Sequence, residues 1–373
     1  MKKTYWLLII IVFIIAAAIG YWFWQKNPTP LPADQATSTV PLLPSDFLPG
    51  SGDDAAATNS GVSPMVLTDH AVSDYWIDAA DMTLYTVTAD GIVSNTPYGG
   101  GEEITYDGDG RPLISAQPSA RGDLVLLTTG TRTAPTVALV NVITGKRTFL
   151  PTLTKAAGWH PNGKDIVYLR DGDSKNTAGL YIYNVAKGSS GLLSPINIQD
   201  VHLEPQHKNA ITITEPTTLL ANVSNWSFNL NEKTLTPIVP AQPGLLMSWH
   251  PNLTGEGLIF TPKTGLVLVS KQGKTTPLAI MALPEKCGFG VAGMLYCAVP
   301  NKTPKGLPDS YLQRSIYTTD SLVAITADGK TKSLWNSDIE GQPFDADNLR
   351  VSGKTIYFIN RYDGYLYSLS LVN

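Results

Sequence analysis

The side chains best suited to chemistry are few and widely spaced. His160 and His250 each stand in the tetrapeptide Trp-His-Pro-Asn, 90 positions apart. Two imidazoles share a metal only if their nitrogens come within about 2 Å of it, and His70, His202 and His207 add no tight ligand spacing. The whole context is repeated, Trp159, His160 and Pro161 matching Trp249, His250 and Pro251. That reads as one structural element used twice, with the tryptophans packed between neighbouring copies. Cys287 and Cys297 are separated by nine residues, which is not a C-x-x-C redox spacing. Asp107-Gly-Asp109-Gly and Asp171-Gly-Asp173-Ser are fragments of a calcium loop. Neither completes the pattern with its distal Glu, so calcium is a weak expectation and turn chemistry the plainer one. Asp345 and Asp347 have the type for an acid pair, although capping of a strand start explains them as well. G-x-S-x-G, H-E-x-x-H and G-x-x-x-x-G-K-[ST] are all missing from the sequence. No catalytic, cofactor or metal residue is assigned, and the chain is expected not to be an enzyme.

The elements that position these residues repeat. Each Trp-His-Pro-Asn is followed by an apolar run, DIVYLRD and GLIFTP. Five more segments share this frame of strand, tight turn and hydrophobic strand. Their turn positions are set at Ala79, Pro118, Pro161, Pro205, Pro251, Gly290 and Val351, with most steps between 39 and 46 residues. That is the roughly 40–45-residue period of a four-stranded blade. Second hairpins turn at Thr-Gly-Lys, Gln-Gly-Lys or Asp-Gly-Lys. The expectation is an all-β, seven-bladed β-propeller over 65–373, with six or eight blades as the neighbouring solutions. The last unit has three strands, and the segment SPMVLTDHAV can supply the fourth, closing the ring without an open edge. In this frame Cys287 and Cys297 map onto Gly158 and Tyr168, a cross-strand pair within reach of a disulfide.

The amino terminus assigns a place. Tyr5 to Trp24 is 20 residues without a charge, with aromatic residues at both ends. It has the length and interfacial anchors of a transmembrane helix. Lys2 and Lys3 put residues 1–4 in the cytoplasm by the positive-inside rule and everything after the span outside it. Cleavage near Ala16-Ala17-Ala18 is the competing reading, and it exports the rest of the chain equally. Residues 25–64, rich in Pro, Ser, Thr and Ala, read as a disordered tether. An exported chain permits a disulfide. The chain has 373 residues, a net charge of −4 and no Lys/Arg-rich run. These exclude an electrostatic nucleic-acid binder.

The run Trp159-His-Pro-Asn-Gly-Lys-Asp-Ile-Val-Tyr168 resembles the W-S-P-D-G-K-x-I-x-[FY] repeat of TolB-like propellers, a WD40-like type. His160 stands where that repeat has Ser and Asn162 where it has Asp. The stretches KCGFGVAGMLYCAVP and NLRVSGKTIYFINRYDGYLYSLSL are similar to those of membrane-anchored bacterial propellers. The resemblance covers about 66–373 and implies a blade architecture, not an activity; the family's work through protein contacts does not carry over on blade motifs alone. The expected partner is a cell-envelope protein or glycan. The alternatives are a carbohydrate-active hydrolase or lyase with carboxylates at the channel mouth, and an accessory subunit of an envelope secretion assembly. The longest departure from the period is 301–315. It is the expected contact loop, with Tyr311, Gln313 and Arg314 its most interaction-prone side chains.

Overall fold

The runs LVLLTT, IVYLR, AITIT, GLIFT and LYCAVP consist, Arg170 apart, of apolar residues and threonine, and are bounded by turn residues. A strand without polar alternation must be covered on both faces. In the structure, a computed structural model, these runs are the second strands of successive sheets and are buried almost throughout. The structure describes residues 63–373 apart from 79, 98–99, 175–176, 197, 199, 251–253, 291–292, 327–328, 338–342 and 372–373. The segments 1–4 and 5–24, the tether up to residue 62, and Pro251 lie outside the described residues. Among the described residues no helix is long and apolar enough to cross a membrane.

The first strand, β1, is Met65–Val66. Blade 1 contains β2 (Asp74–Ile77), β3 (Leu84–Val87), β4 (Val93–Thr96) and β5 (Glu103–Tyr106). Blade 2 contains β6 (Leu113–Pro118), β7 (Leu124–Thr131), β8 (Ala134–Asn141) and β9 (Arg147–Phe149). Blade 3 contains β10 (Thr154–Trp159), β11 (Ile166–Arg170), β12 (Gly179–Asn184) and β13 (Ser189–Ser194). Blade 4 contains β14 (His202–His207), β15 (Ala210–Thr214), β16 (Asn225–Asn229) and β17 (Thr234–Pro237). Blade 5 contains β18 (Leu246–Trp249), β19 (Gly257–Thr261), β20 (Gly265–Val269) and β21 (Thr275–Pro277). Blade 6 contains β22 (Cys287–Phe289), β23 (Leu295–Pro300), β24 (Asp320–Ile325) and β25 (Thr331–Asn336). Blade 7 contains β26 (Ala346–Ser352), β27 (Thr355–Asn360) and β28 (Leu366–Ser370), and β1 is its outermost strand.

The chain is therefore a seven-bladed β-propeller of antiparallel four-stranded sheets. Met65 pairs with Ser368 and Val66 with Tyr367, so the two ends of the propeller share one sheet. The core is a series of inter-blade layers. Leu203, Ile211, Ile213 and Phe228 of blade 4 pack on Val167, Leu169 and Leu180 of blade 3. Each such side chain contributes about 1.5–3 kcal/mol by leaving water. The end of each sheet where the innermost strand begins is called the upper face below. In an antiparallel four-stranded sheet the connection between strands two and three lies at this same end.

The repeat register needs correction in four units. Pro118 and Pro205 lie within β6 and β14, not in turns. Innermost strands pair on one side only, so a missing N–H is tolerated there. The turns themselves are equivalent through a shared bond. Asp78 N donates to Thr83 O (2.9 Å), Ser119 N to Leu124 O (2.7 Å) and His160 N to Asp165 O (2.8 Å). His250 N donates to Glu256 O and Gly290 N to Met294 O, both at 2.8 Å. Gly290 thus matches His160 itself, and Val351, paired with Ile356, lies inside β26. Cys287 matches Ala157 rather than Gly158. Its register partner is Cys297, as Tyr168 is the partner of Ala157, and the two cysteines form a disulfide.

Candidate functional site

Of the two histidines in the repeated tetrapeptide, His160 serves its own turn and His250 packs on the next blade. His160 Nδ1 accepts the N–H of Asn162 at 3.1 Å, and burial holds its pKa below the usual imidazole range. The His250 ring packs on Phe289 of the next blade, centroids 4.6 Å apart, and burial lowers its pKa also. The two sit in blades 3 and 5, with blade 4 between them. His207 Nδ1 accepts the N–H of Asn209 in the same way as His160. Its sequence neighbourhood, lacking Trp and Gly, concealed that equivalence. Trp159 is an inter-blade residue, its Nε1 donating to Gln117 O of blade 2 at 2.8 Å. Trp249 is buried as well.

Three acids of the calcium-like fragments have cationic partners. Asp109 lies 3.6 Å from Arg111 and 3.9 Å from Arg147. Asp171 pairs with Lys155 at 3.1 Å and Asp173 with Arg170 at 2.6 Å. Among the described residues, Asp69, His70 and Glu102 have a donor set for a metal, their ligand atoms all within 4.8 Å of one another. The two ring nitrogens of His70 already face Asp69 at 3.1 Å and Glu102 at 3.5 Å, so the three side chains are mutual partners.

A cluster of charged groups lies on the upper face of blades 6, 7 and 1. A 3₁₀ turn at Pro284–Lys286 delivers Lys286 just before β22. Its Nζ lies 2.6 Å from Asp320 Oδ2, 2.6 Å from Asp345 Oδ1 and 2.9 Å from Thr318 Oγ1. Asp345 Oδ2 accepts from Arg361 Nη1 and from the N–H of Thr318, both at 3.0 Å. All four charged groups are sealed from solvent. Burial, with the charge of Asp345, pushes the Asp320 carboxyl up, against the pull of Lys286. Asp345 was legible as a charged strand-start residue. Lys286, Asp320 and Arg361 were not, because their separations of 34 and 59 residues from Lys286 and of 16 between Arg361 and Asp345 follow no motif.

Tyr311 belongs to this network, which corrects its expected role as an exposed contact residue. It lies on α1 (Asp309–Leu312), a single turn within the insertion, and is buried. Arg361 stacks on its ring with the guanidinium carbon 3.7 Å from the centroid, and Lys286 approaches at 4.7 Å. Its hydroxyl donates to Ala346 O of blade 7 at 3.1 Å. Gln313 and Arg314 are exposed. Asp347 is pushed up by burial, and Lys286, Arg361 and Arg314 oppose the shift. Asp309 reaches blade 4, accepting from Leu219 N at 3.0 Å and Thr218 Oγ1 at 3.1 Å. The insertion is thus bolted across the upper face, between the loop of blade 4 and the start of blade 7. Asp74 pairs with Arg350 at 2.8 Å and accepts from Asn348 Nδ2 at 2.6 Å, joining blades 1 and 7.

Around this base lies an exposed apolar set. Leu220, beside the Asp309 anchor, is 93% exposed, and Leu312 is exposed on α1. Tyr317 and Tyr362, 51% and 48% exposed, stack with centroids 5.6 Å apart. The Tyr362 hydroxyl donates to Thr318 O at 3.2 Å. A cavity of about 240 Å³ opens beside them, lined by Pro64, Pro343, Phe344, Asn360, Tyr362, Asp363 and Tyr367. Two further carboxyls, Glu204 on β14 and Glu285, are half-buried and pushed up to about 7 by burial.

Comparison with known proteins adds the fold and little else. No protein-family model matches the sequence. No curated protein matches it by sequence. The Cps50 (Swd1) β-propeller domain of Myceliophteria thermophila is similar in structure, with a TM-score of 0.55 and 10% identity over 83% of this chain and 100% of that one. The tricorn protease is similar with a TM-score of 0.52 and 10% identity over 83% of this chain, and only 34% of its own chain is covered. TolB from Acinetobacter baumannii aligns with a TM-score of 0.42 and 12% identity, covering 82% of this chain and 65% of that one. At these identities the likeness shows a β-propeller fold alone.

Proposed function

We propose that the chain is a non-catalytic binding module, tethered outside the cytoplasmic membrane by its N-terminal span, whose upper face engages a cell-envelope protein. One observation carries this reading. Leu220, Leu312, Tyr317 and Tyr362 lie exposed on loops of blades 4, 6 and 7 that side-chain bonds of Asp309 and Tyr362 hold together. Exposed Tyr with neighbouring Arg314 and Gln313, on a pre-organised base, has the composition of an interface centre. The disulfide supports an oxidising compartment. Against a hydrolase or lyase, Asp320 and Asp345 are sealed and neutralised by Lys286 and Arg361. Such carboxylates hold a fold and cannot reach a glycan.

Photo-crosslinking in the native membrane tests this. A photoreactive residue at 220, 313 or 317 should capture one common protein, and one at 208, in the turn at the opposite end of blade 4, should not. Capture from position 208 alone would place the interface elsewhere. Turnover of an oligosaccharide by the purified chain would replace the reading with the enzyme alternative.

A further inference from the structure

We infer that Lys286 and Asp320 condense to an amide, an intramolecular isopeptide bond within blade 6. The inference does not depend on the binding reading above.

Four observations carry it. First, the reactants touch and are dry. The Lys286 amine lies 2.6 Å from an Asp320 carboxylate oxygen, with side-chain exposures of 1% and 0%. Second, the pair is unfavourable as ions. Two cations and two anions are buried together, and desolvation of each is costly. An amide removes two of the four charges and keeps polar atoms that the same donors satisfy. Third, Asp320 is held as an acyl group should be. Its Oδ2 accepts the N–H of Ala346 at 2.9 Å, a donor placed where negative charge develops in a tetrahedral intermediate. Its Oδ1 lies 2.8 Å from Thr318 Oγ1. Fourth, a second carboxylate can move protons. Asp345 Oδ1 lies 2.6 Å from the same amine and 2.8 Å from the same Thr318 hydroxyl. Arg361 and the Thr318 N–H fix its other oxygen.

The step balances without a co-reactant. Asp345 takes a proton from the ammonium of Lys286. The freed amine attacks Asp320 Cγ, forming the C–N bond. Protons shed by the nitrogen pass from Asp345 through the Thr318 hydroxyl to Asp320 Oδ1, the C–Oδ1 bond breaks, and that oxygen leaves as water. Nothing is oxidised or reduced. Asp345 is returned as the carboxylate, still paired with Arg361. Asp320, rather than Asp345, is the acyl donor because Asp345 is tied to Arg361 at 3.0 Å, while the Thr318 hydroxyl reaches the leaving oxygen, Asp320 Oδ1, and the Ala346 N–H reaches the oxygen that stays. The resulting ring, closed between 286 and 320, encloses the one closed by the disulfide.

Peptide mapping of the purified full chain, reduced and denatured, decides the matter. The expected result is a branched peptide containing both Lys286 and Asp320, about 18 Da lighter than its two parts, one water lost. Recovery of both residues only in unmodified linear peptides overturns the inference and leaves an ionic cluster. Loss of about 18 Da at another site also overturns it. Asp345→Asn, checked for folding by circular dichroism, should slow the condensation at least about tenfold. Crosslinking of that variant at the parent rate would remove Asp345 from the proton path.

Discussion

Trp159 and Trp249 occupy the same place in blades 3 and 5, but among the described residues only Trp159 finds a partner for its indole N–H. Trp159 Nε1 donates to Gln117 O at 2.8 Å. Trp249 Nε1 is buried with no hydrogen-bond partner among the described residues. The two seams they fill are therefore unequal, although the tetrapeptides are identical. Replacing Trp159 by Phe removes the indole donor to the Gln117 carbonyl, whereas Trp249→Phe removes a donor with no partner among the described residues. Leaving a buried group unsatisfied costs about 1–3 kcal/mol. Trp159→Phe should lower stability by about 1–2 kcal/mol more than Trp249→Phe, read from urea unfolding midpoints. Equal losses would mean that the bond to Gln117 contributes nothing net.

A second equivalence sets the spacing of blades. Gly158 and Gly288 each stand two residues before the repeat turn. A Cβ at Gly158 would lie 2.4 Å from Leu203 O of blade 4, and one at Gly288 would lie 2.9 Å from Leu349 O of blade 7. Both glycines let the next innermost strand approach closely. Gly158→Ala should cost about 1–3 kcal/mol through forced backbone displacement. Gly101→Ala, where nothing lies within 4 Å, serves as the control. A Gly158→Ala protein as stable as the Gly101→Ala protein would show that the ring expands freely.

These positions also show what was legible. Trp159 and Trp249 announced the repeat, the apolar second strands confirmed its period, and Met65 and Val66 supply the fourth strand that the three-stranded last unit lacks. Pro118 and Pro205 misled because proline usually marks a turn, and an innermost strand with one free side relaxes that rule. The site was mostly hidden. Tyr311 reads as a contact residue in a polar loop, yet the two cations that bury it come from Lys286 and Arg361. Only the closed ring brings those segments together.

Glu204 and Glu285 predict a pH dependence. Burial pushes both carboxyls up to about 7 from the ordinary 4.5, with Asp347 adding to Glu285 and the Trp249 N–H opposing at Glu204. Between these values the folded chain keeps protons that the unfolded chain has released. Their stabilisation is therefore complete below the unfolded pKa, declines as pH rises through about 7, and is flat above it. Both groups remain partly reached by water, so roughly 1 kcal/mol each is expected after screening. Glu204→Gln should flatten that part of the melting-temperature profile between acid and neutral pH. An unchanged slope would show that Glu204 titrates normally.

Asp309 links the fold to the proposed interface. Its carboxylate accepts from Leu219 N and Thr218 Oγ1, holding the insertion against blade 4 next to Leu220. Lys302 and Lys305 on the same insertion are exposed, as is Arg314. Asp309→Ala removes a charged acceptor and leaves a half-buried backbone donor unpaired, at a cost of about 1–3 kcal/mol. Most of that cost should be local, because the Tyr311 ring keeps its contacts with Lys286 and Arg361. Trypsin should then cut after Lys305 and Arg314 faster than in the parent chain, while the blades stay intact. Crosslinking from position 220 should fall with it, because the loops of blades 4 and 6 no longer present one surface. Faster cleavage with undiminished crosslinking would separate the insertion from partner binding and confine the interface to blade 4.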